Sequence, residues 1–382
     1  MTNKWLKVAL MVTAIATGTS INIDAETVLY VPQDDRPVSL QYTVDTAREA
    51  GMTVLTPPQH LISGKTYQGQ ADQIMAWVEQ NAGRADVMVL STDTLIYGGL
   101  VDSRKHNIPL STLQNRLKRI EGLKARNKNV RIYGFGTVMR SPRASGGGTE
   151  PAYYAEYGPT IFQIAALQDK LDSGSLTQEE TQKMMSLQAS VPVEYLQDWF
   201  DRRQKNMKIN KELIDETRSG IFDYFALGHD DTSQLSQSAL EGRYLNKYSK
   251  DISVEKYGSF PGADQLGLLL MARSRTDMST EKPTFSVIYP LGGGGKTLPG
   301  YDKTIAQHVE AVGGTMVTQG KPTVLLAVNT PLTTSTGESE NFENFPMISN
   351  STNAFVDRIQ QAVDSGVNVS VADIAFNNGA DN

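Results

Sequence analysis

The sequence predicts an α/β protein, and within that class a (β/α)8 TIM-like barrel with a helical insertion after its fourth strand. Three observations carry this expectation. Short β-branched runs alternate with helical patterns, the order in which parallel strands are joined by crossover helices. Eight such runs occur, with seven helical regions between them, as a barrel requires. Several of the helical regions also show one apolar stripe. An open doubly wound sheet is the runner-up, because it uses the same alternation.

The strands are expected at 27–31, 53–56, 86–91, 130–136, 223–227, 284–289, 323–328 and 367–373. Helices are expected at about 40–50, 71–81, 110–127, 263–273, 303–312 and 352–365. The sequence ends about a strand's length after Val367, so the last helix of the barrel is expected to be lacking. Between the fourth and fifth strands, 144–220 holds a Gly-rich turn, a Tyr-rich segment and two charged stretches. It reads as an insertion over the strand ends, with a helical hairpin at 163–172 and 179–208 broken by Ser173-Gly174-Ser175.

Residues 1–25 are expected to be a signal peptide. Lys4 and Lys7 form a basic start, and residues 8–19 are an apolar stretch too short for a membrane span. Cleavage is expected after Ala25 or near Ser20, leaving 26–382 as a single barrel-like domain in the periplasm or outside the cell. No later run approaches the ~20 apolar residues of a membrane helix, so no membrane span is expected in the mature chain.

Composition narrows the chemistry. The chain has no cysteine, which excludes disulfides, thiol nucleophiles and Cys-ligated metals. A hydrophobic fraction of 39% suffices for a core, and a net charge of -6 argues against nucleic acid as a partner. Gly292 to Thr297 imitates a phosphate loop, but that motif's first glycine would fall on Pro290 and Pro299 sits where its helix should begin. A loop beside the mouth, with Lys296 able to meet an anion, is the better reading.

The strand-like runs repeatedly end in acidic motifs. Gln33-Asp34-Asp35-Arg36-Pro37 follows the first strand, and Thr92-Asp93-Thr94 with Tyr97-Gly98-Gly99-Leu100-Val101-Asp102-Ser103-Arg104 follows the third. Met139-Arg140-Ser141 follows the fourth and Gly228-His229-Asp230-Asp231-Thr232 the fifth, while Asp373 ends the eighth. Each aspartate alone is explained by helix capping or ion pairing. Several at one barrel face, with arginines, point to a polar ligand site, because clustered carboxylates must be compensated or used.

Together Asp34-Asp35-Arg36-Pro37-Val38, Tyr97 to Arg104, Asp230-Asp231, Pro261-Gly262-Ala263-Asp264 and Asn378-Gly379-Ala380-Asp381 resemble a bacterial family known as domain of unknown function 4127. The likeness runs over most of the mature chain. It implies no established chemistry.

The residues themselves suit glycoside hydrolysis of a carbohydrate substrate, in which paired carboxyls act and no cofactor is required. Asp230 and Asp231 are the leading catalytic candidates, with Asp93, Asp34 or Asp35 as the second acid or as a partner of sugar hydroxyls. Arg36, Arg104 and Arg140 either bind an anionic group on the sugar or pair with the aspartates. Tyr97, Tyr153, Tyr154 and Tyr157 offer aromatic faces or serve as half-buried structural residues. Asp264 caps the helix that follows it or lines the mouth. His229 is expected beside Asp230 or in an ordinary turn. With four histidines and no paired His motif, a metal-dependent hydrolase is the weaker alternative, and a non-catalytic carbohydrate-binding protein is the alternative from another class.

Overall fold

A computed structural model describes residues 26–144, 147–230, 233, 235–290, 305–330 and 350–373. The expected export segment, Asp231 and the loop containing Lys296 lie outside the described residues. The chain divides into two compact units, Asn22–Met271 and Ala272–Asn382.

The first unit is built on six strands: β1 (Thr27–Val31), β2 (Thr53–Leu55), β3 (Val87–Ser91), β4 (Arg131–Val138), β5 (Tyr224–His229) and β6 (Tyr257–Pro261). All pair in parallel in the order β2-β1-β3-β4-β5-β6. Aliphatic and aromatic runs such as Val-Met-Val-Leu-Ser of β3 are buried at every position, as expected when both faces of a parallel sheet are covered. On one face Leu29, Met88 and Ile132 stand in register, and Phe225 lies opposite Gly134 two residues further along the same face. Against them pack α2 (Ala71–Asn81), α5 (Leu110–Arg126) and α8 (Val193–Ser219). The stripe Leu113, Leu117, Ile120 and Leu123 keeps one side of α5 in this core, each side chain contributing roughly 1.5–3 kcal/mol by leaving water.

Strand order fixes where this sheet can take a ligand. From β1 the chain passes to β2 on one side, then returns past β1 to β3 on the other. The reversal falls between β1 and β3, and the carboxyl ends of strands at such a reversal are where doubly wound sheets bind ligands.

The insertion after β4 is present, but as three helices rather than a hairpin: α6 (Tyr154–Asp172), α7 (Gln178–Ala189) and α8. A capping box of Thr177 and Glu180 starts α7. Pro192 lacks the N–H that a continuous helix would use, so the expected stretch 179–208 breaks between α7 and α8. Met139, Tyr154, Ile161, Ile164, Val191 and Trp199 form a core for this segment.

In the second unit β7 (Thr284–Ile288), β8 (Thr315–Met316), β9 (Val324–Asn329) and β10 (Asn368–Asp373) make a parallel sheet ordered β10-β9-β7-β8. Phe285, Val309 and Val324 form its buried cluster, with Val309 supplied by α11 (Ile305–Ala311). Helix α12 (Asn350–Asp364) lies between β9 and β10 in sequence.

The single eight-stranded barrel is therefore corrected. Among the described residues the strands form two sheets, each with two end strands, and no closed barrel is present. The α/β class and the parallel pairing stand, and the first unit follows the doubly wound alternative. No helix among the described residues is long and apolar enough to cross a membrane.

Candidate active site at the carboxyl ends of β1, β3, β4 and β5

Strand β3 runs directly into α3 (Thr92–Tyr97), and the Ser91 hydroxyl caps it by accepting from the Thr94 N–H at 3.2 Å. Thr94 Oγ1 donates to the Pro32 carbonyl at 2.7 Å, tying this turn to the exit of β1. The tie sets Asp93 beside Gln33. Asp93 Oδ2 accepts from Gln33 Nε2 at 3.2 Å and from Thr137 Oγ1, near the end of β4, at 2.7 Å. Gly136 is required here, because a Cβ at that position would lie 2.4 Å from Thr92 Oγ1. Asp93 is only 2% exposed, and burial pushes its carboxyl up to about 6 against the opposing hydrogen bonds from Thr137 and Gln33; the charge of Asp230 pushes the same way as burial.

Asp230 follows β5 and is ion-paired with Arg104, Oδ2 to Nη2 2.6 Å. Arg104 comes from α4 (Leu100–Lys105), and its side chain is 4% exposed. Burial lowers the guanidinium pKa, with Asp230 and Glu150 opposing the shift. Arg140, just past β4, donates from Nε to Glu150 Oε1 at 2.6 Å and from Nη2 to Thr149 Oγ1 at 2.7 Å. Glu150 Oε1 is also 3.8 Å from Arg104 Nη1, so one buried carboxylate serves both arginines.

On the other side of Gln33, Asp34 Oδ2 accepts from Arg36 Nε at 2.7 Å, and Arg36 Nη2 reaches Asp264 Oδ1 at 2.7 Å beyond β6. Tyr67 donates its hydroxyl hydrogen to Asp35. The polar contacts thus form three sets, Asp264 with Arg36 and Asp34, Gln33 with Asp93 and Thr137, and Asp230 with Arg104, Glu150 and Arg140, the last two coupled by the charge of Asp230 on Asp93.

The Tyr97-to-Arg104 motif is explained by packing as well as by Arg104. Gly98 ends α3 with φ 115°, a left-handed value that glycine alone takes without strain. A Cβ on Gly99 would lie 1.8 Å from Ser63 Oγ, and one on Gly69 would lie 1.9 Å from the Gly98 carbonyl oxygen. Asp102 accepts from the Gly69 N–H at 3.1 Å and clamps this close approach. Burial raises its carboxyl pKa.

The structure therefore gathers Asp34, Asp35, Arg36, Asp93, Arg104, Arg140, Asp230 and Asp264 on one sheet. Tyr97 joins them as a buried ring stacked on His106 at 4.9 Å rather than as an open aromatic face. His229 ends β5, where its Nε2 pairs with Ser259 Oγ on β6 at 2.7 Å and its ring lies where a Cβ on Gly242 would be. Tyr154 is wholly buried, with its hydroxyl on the Pro142 carbonyl at 2.8 Å, while Tyr153 stacks on Tyr195 and donates to Asp198 at 2.6 Å. Tyr157 also packs on Tyr195. These three tyrosines serve the core of the insertion. Asp373 ends β10 in the other sheet and accepts from Asn329 Nδ2 at 3.2 Å. With the strands divided between two sheets, the reason for grouping it with the rest is gone. Asp231 lies outside the described residues. Among those described, no group of three His, Asp or Glu side chains is arranged to hold a metal ion.

Gln33, Thr137 and Glu150 do not stand out in the sequence. Gln33 lies one residue before the Asp pair, and Thr137 ends a buried strand; both positions are signals once the strand ends are known. Glu150 follows a Gly-rich turn with no periodicity to mark it. A groove of about 350 Å³ between α8 and α9 (Gln237–Tyr248) is lined by Phe200, Arg203, Lys208, Leu240 and Tyr244, among others. Its walls hold one carboxyl, Glu241, against the several gathered at the strand ends, which are therefore the candidate site.

Fold and site together define an α/β protein with a doubly wound parallel sheet and a carboxylate–arginine network at its switch point. The chain belongs to the family described as Protein of unknown function (DUF4127), whose profile matches residues 28–382. A comparison with curated proteins found no match.

Proposed function

We propose that this protein is an exported glycoside hydrolase acting on a polysaccharide or glycoconjugate, with Asp93 as proton donor and Asp230 as the second carboxyl. One observation carries the reading: two neighbouring carboxyls sit in opposite environments. Asp93 is buried and pushed up to about 6, while Asp230 is ion-paired with Arg104. A protonated acid beside a carboxylate is the division of labour that glycosidic cleavage needs, one group protonating the leaving oxygen and the other acting as base, nucleophile or stabiliser. Arg104 and Arg140 hold the site by sharing Glu150. Removal of a general acid typically costs a factor of about 100 to 10,000.

The test is reducing-sugar release from mixed bacterial and plant glycans by the wild type, Asp93→Asn and Asp230→Asn. Activity in the wild type should fall as pH rises through about 6, where Asp93 loses its proton. Both variants should lose turnover while keeping their circular dichroism. Release of no sugar by the wild type, or full activity in both variants, rules the reading out. Asp93 is 2% exposed, which favours one second reading, a sugar-binding protein without turnover; calorimetric binding with no reducing ends would select it. Export rests on the basic-apolar start of the sequence, and the mature N-terminus, sequenced from protein outside the cytoplasm, should begin after Ser20 or Ala25. An intact Met1 would remove that part of the proposal.

A further inference from the structure

Among the described residues, several buried polar atoms of the site lack a partner. Gln33 uses Nε2 on Asp93, which leaves Oε1 of the same amide buried and unbonded. Tyr97 Oη and Arg104 Nε are likewise buried without a partner. All three residues are more than nine-tenths buried. Such atoms are rare in folded proteins unless water or a ligand meets them. Gln33 Oε1 can only accept, Tyr97 Oη can accept, and Arg104 Nε can only donate.

The charges around them do not cancel. Arg36, Arg104 and Arg140 face Asp34, Asp264, Asp230 and Glu150, with Asp35 beside Asp34, so three guanidiniums meet five carboxylates. Among the described residues the formal surplus is two negative charges before Asp93 is counted, and one if Lys65, whose ammonium lies near Gly147, is set against it. Lys105 does not offset it, because its ammonium bonds the Gly148 carbonyl at 3.0 Å and faces Asp102. Every arginine of the network is already engaged by a carboxylate, so none is left to select an anionic sugar.

We propose that the sugar taken by this site carries a free, protonated amino group. The inference rests on the carbohydrate reading above and specifies its substrate class. An ammonium brings donors for Gln33 Oε1 and Tyr97 Oη, and its charge meets the acidic surplus. A hydroxyl or ring oxygen of the same sugar supplies the acceptor that Arg104 Nε lacks. An N-acetylated sugar forfeits the charge, and a uronate meets like charge.

Calorimetric titration of the full chain separates these classes, using three tetramers at a pH where the amine is protonated: glucosamine, N-acetylglucosamine and galacturonic acid. The glucosamine tetramer should bind roughly tenfold more tightly than its N-acetylated counterpart, the preference should shrink in high salt, and the uronate should not bind. Asp264→Asn, at an exposed position, should reduce the preference severalfold without disturbing the fold, and Gln33→Leu should weaken amine binding further. Equal or tighter binding of the N-acetylated or uronate tetramer overturns the amine inference and leaves a carbohydrate site standing. Failure of all three to bind overturns both. Amine preference without reducing-end release supports the inference while removing the hydrolase reading.

Discussion

Asp93 sits where a short helix begins against the end of a buried strand, and its carboxyl titrates near 6 because burial outweighs the hydrogen bonds from Thr137 and Gln33. A carboxyl raised above its ordinary value favours the folded state only while protonated. Its contribution is therefore complete below about 4 and is lost as pH rises through about 6, amounting to about 3 kcal/mol. Asp93→Asn lacks this loss. In urea melts the variant should gain about 3 kcal/mol relative to the wild type between pH 4 and pH 7; a difference that stays flat with pH would show that Asp93 does not titrate in that window. The acidic residues of the site were legible in the sequence because each follows a recognisable strand. The same rule loses its ground for Asp373, which ends a strand of the other sheet, since a strand end says nothing about which sheet the strand joins. Gln33 stands inside the Asp34 motif, but a glutamine carries no charge pattern that marks it as a partner of Asp93.

At the scale of elements, α8 holds the exit of β4 in place. Arg203, 1% exposed, donates to both oxygens of Glu241 on α9 at 2.8 and 2.7 Å and to the carbonyls of Met139 and Arg140 at 2.7 and 3.0 Å. Removing one member of a buried pair strands the other, so Arg203→Met should cost about 3–5 kcal/mol. The double variant Arg203→Met with Glu241→Leu should recover part of that in thermal melts; additive losses would show that the pair itself is not the source. The elements themselves were mostly readable. Apolar β-branched runs gave β1 to β5, β7, β9 and β10, and the stripe of α5 gave its bounds to within a residue. Strand β6, Tyr-Gly-Ser-Phe-Pro, was missed because Gly, Ser and Pro weaken the strand signal, and the two-residue β8 is too short for one. Helix α3 was missed because it is buried all round and shows no stripe. Pairing partners were not readable at all: eight strands with crossover helices satisfy a barrel or two open sheets equally, and tertiary packing decides.

For the whole molecule, the division into two compact units falls within α10 (Leu266–Met278). All six strands of the first sheet precede it, as do the helices of the principal apolar cluster and every residue of the carboxylate–arginine network. The start of α10 belongs to the first unit's packing: Gly267 lies so close to Tyr30 that a Cβ would be 2.3 Å from its hydroxyl. A fragment that cuts α10 short would expose this face, whereas one spanning residues 26–279 keeps the helix intact. Roughly 250 residues with their own core and complete sheet are enough for autonomous folding. Such a fragment should therefore melt in one cooperative transition and retain the pH-dependent stability difference between Asp93 and its Asn variant. A broad, non-cooperative melt would mean that the first unit draws its stability from the chain beyond α10. Cooperative folding with an altered Asp93 titration would place part of the site's electrostatics outside the first unit.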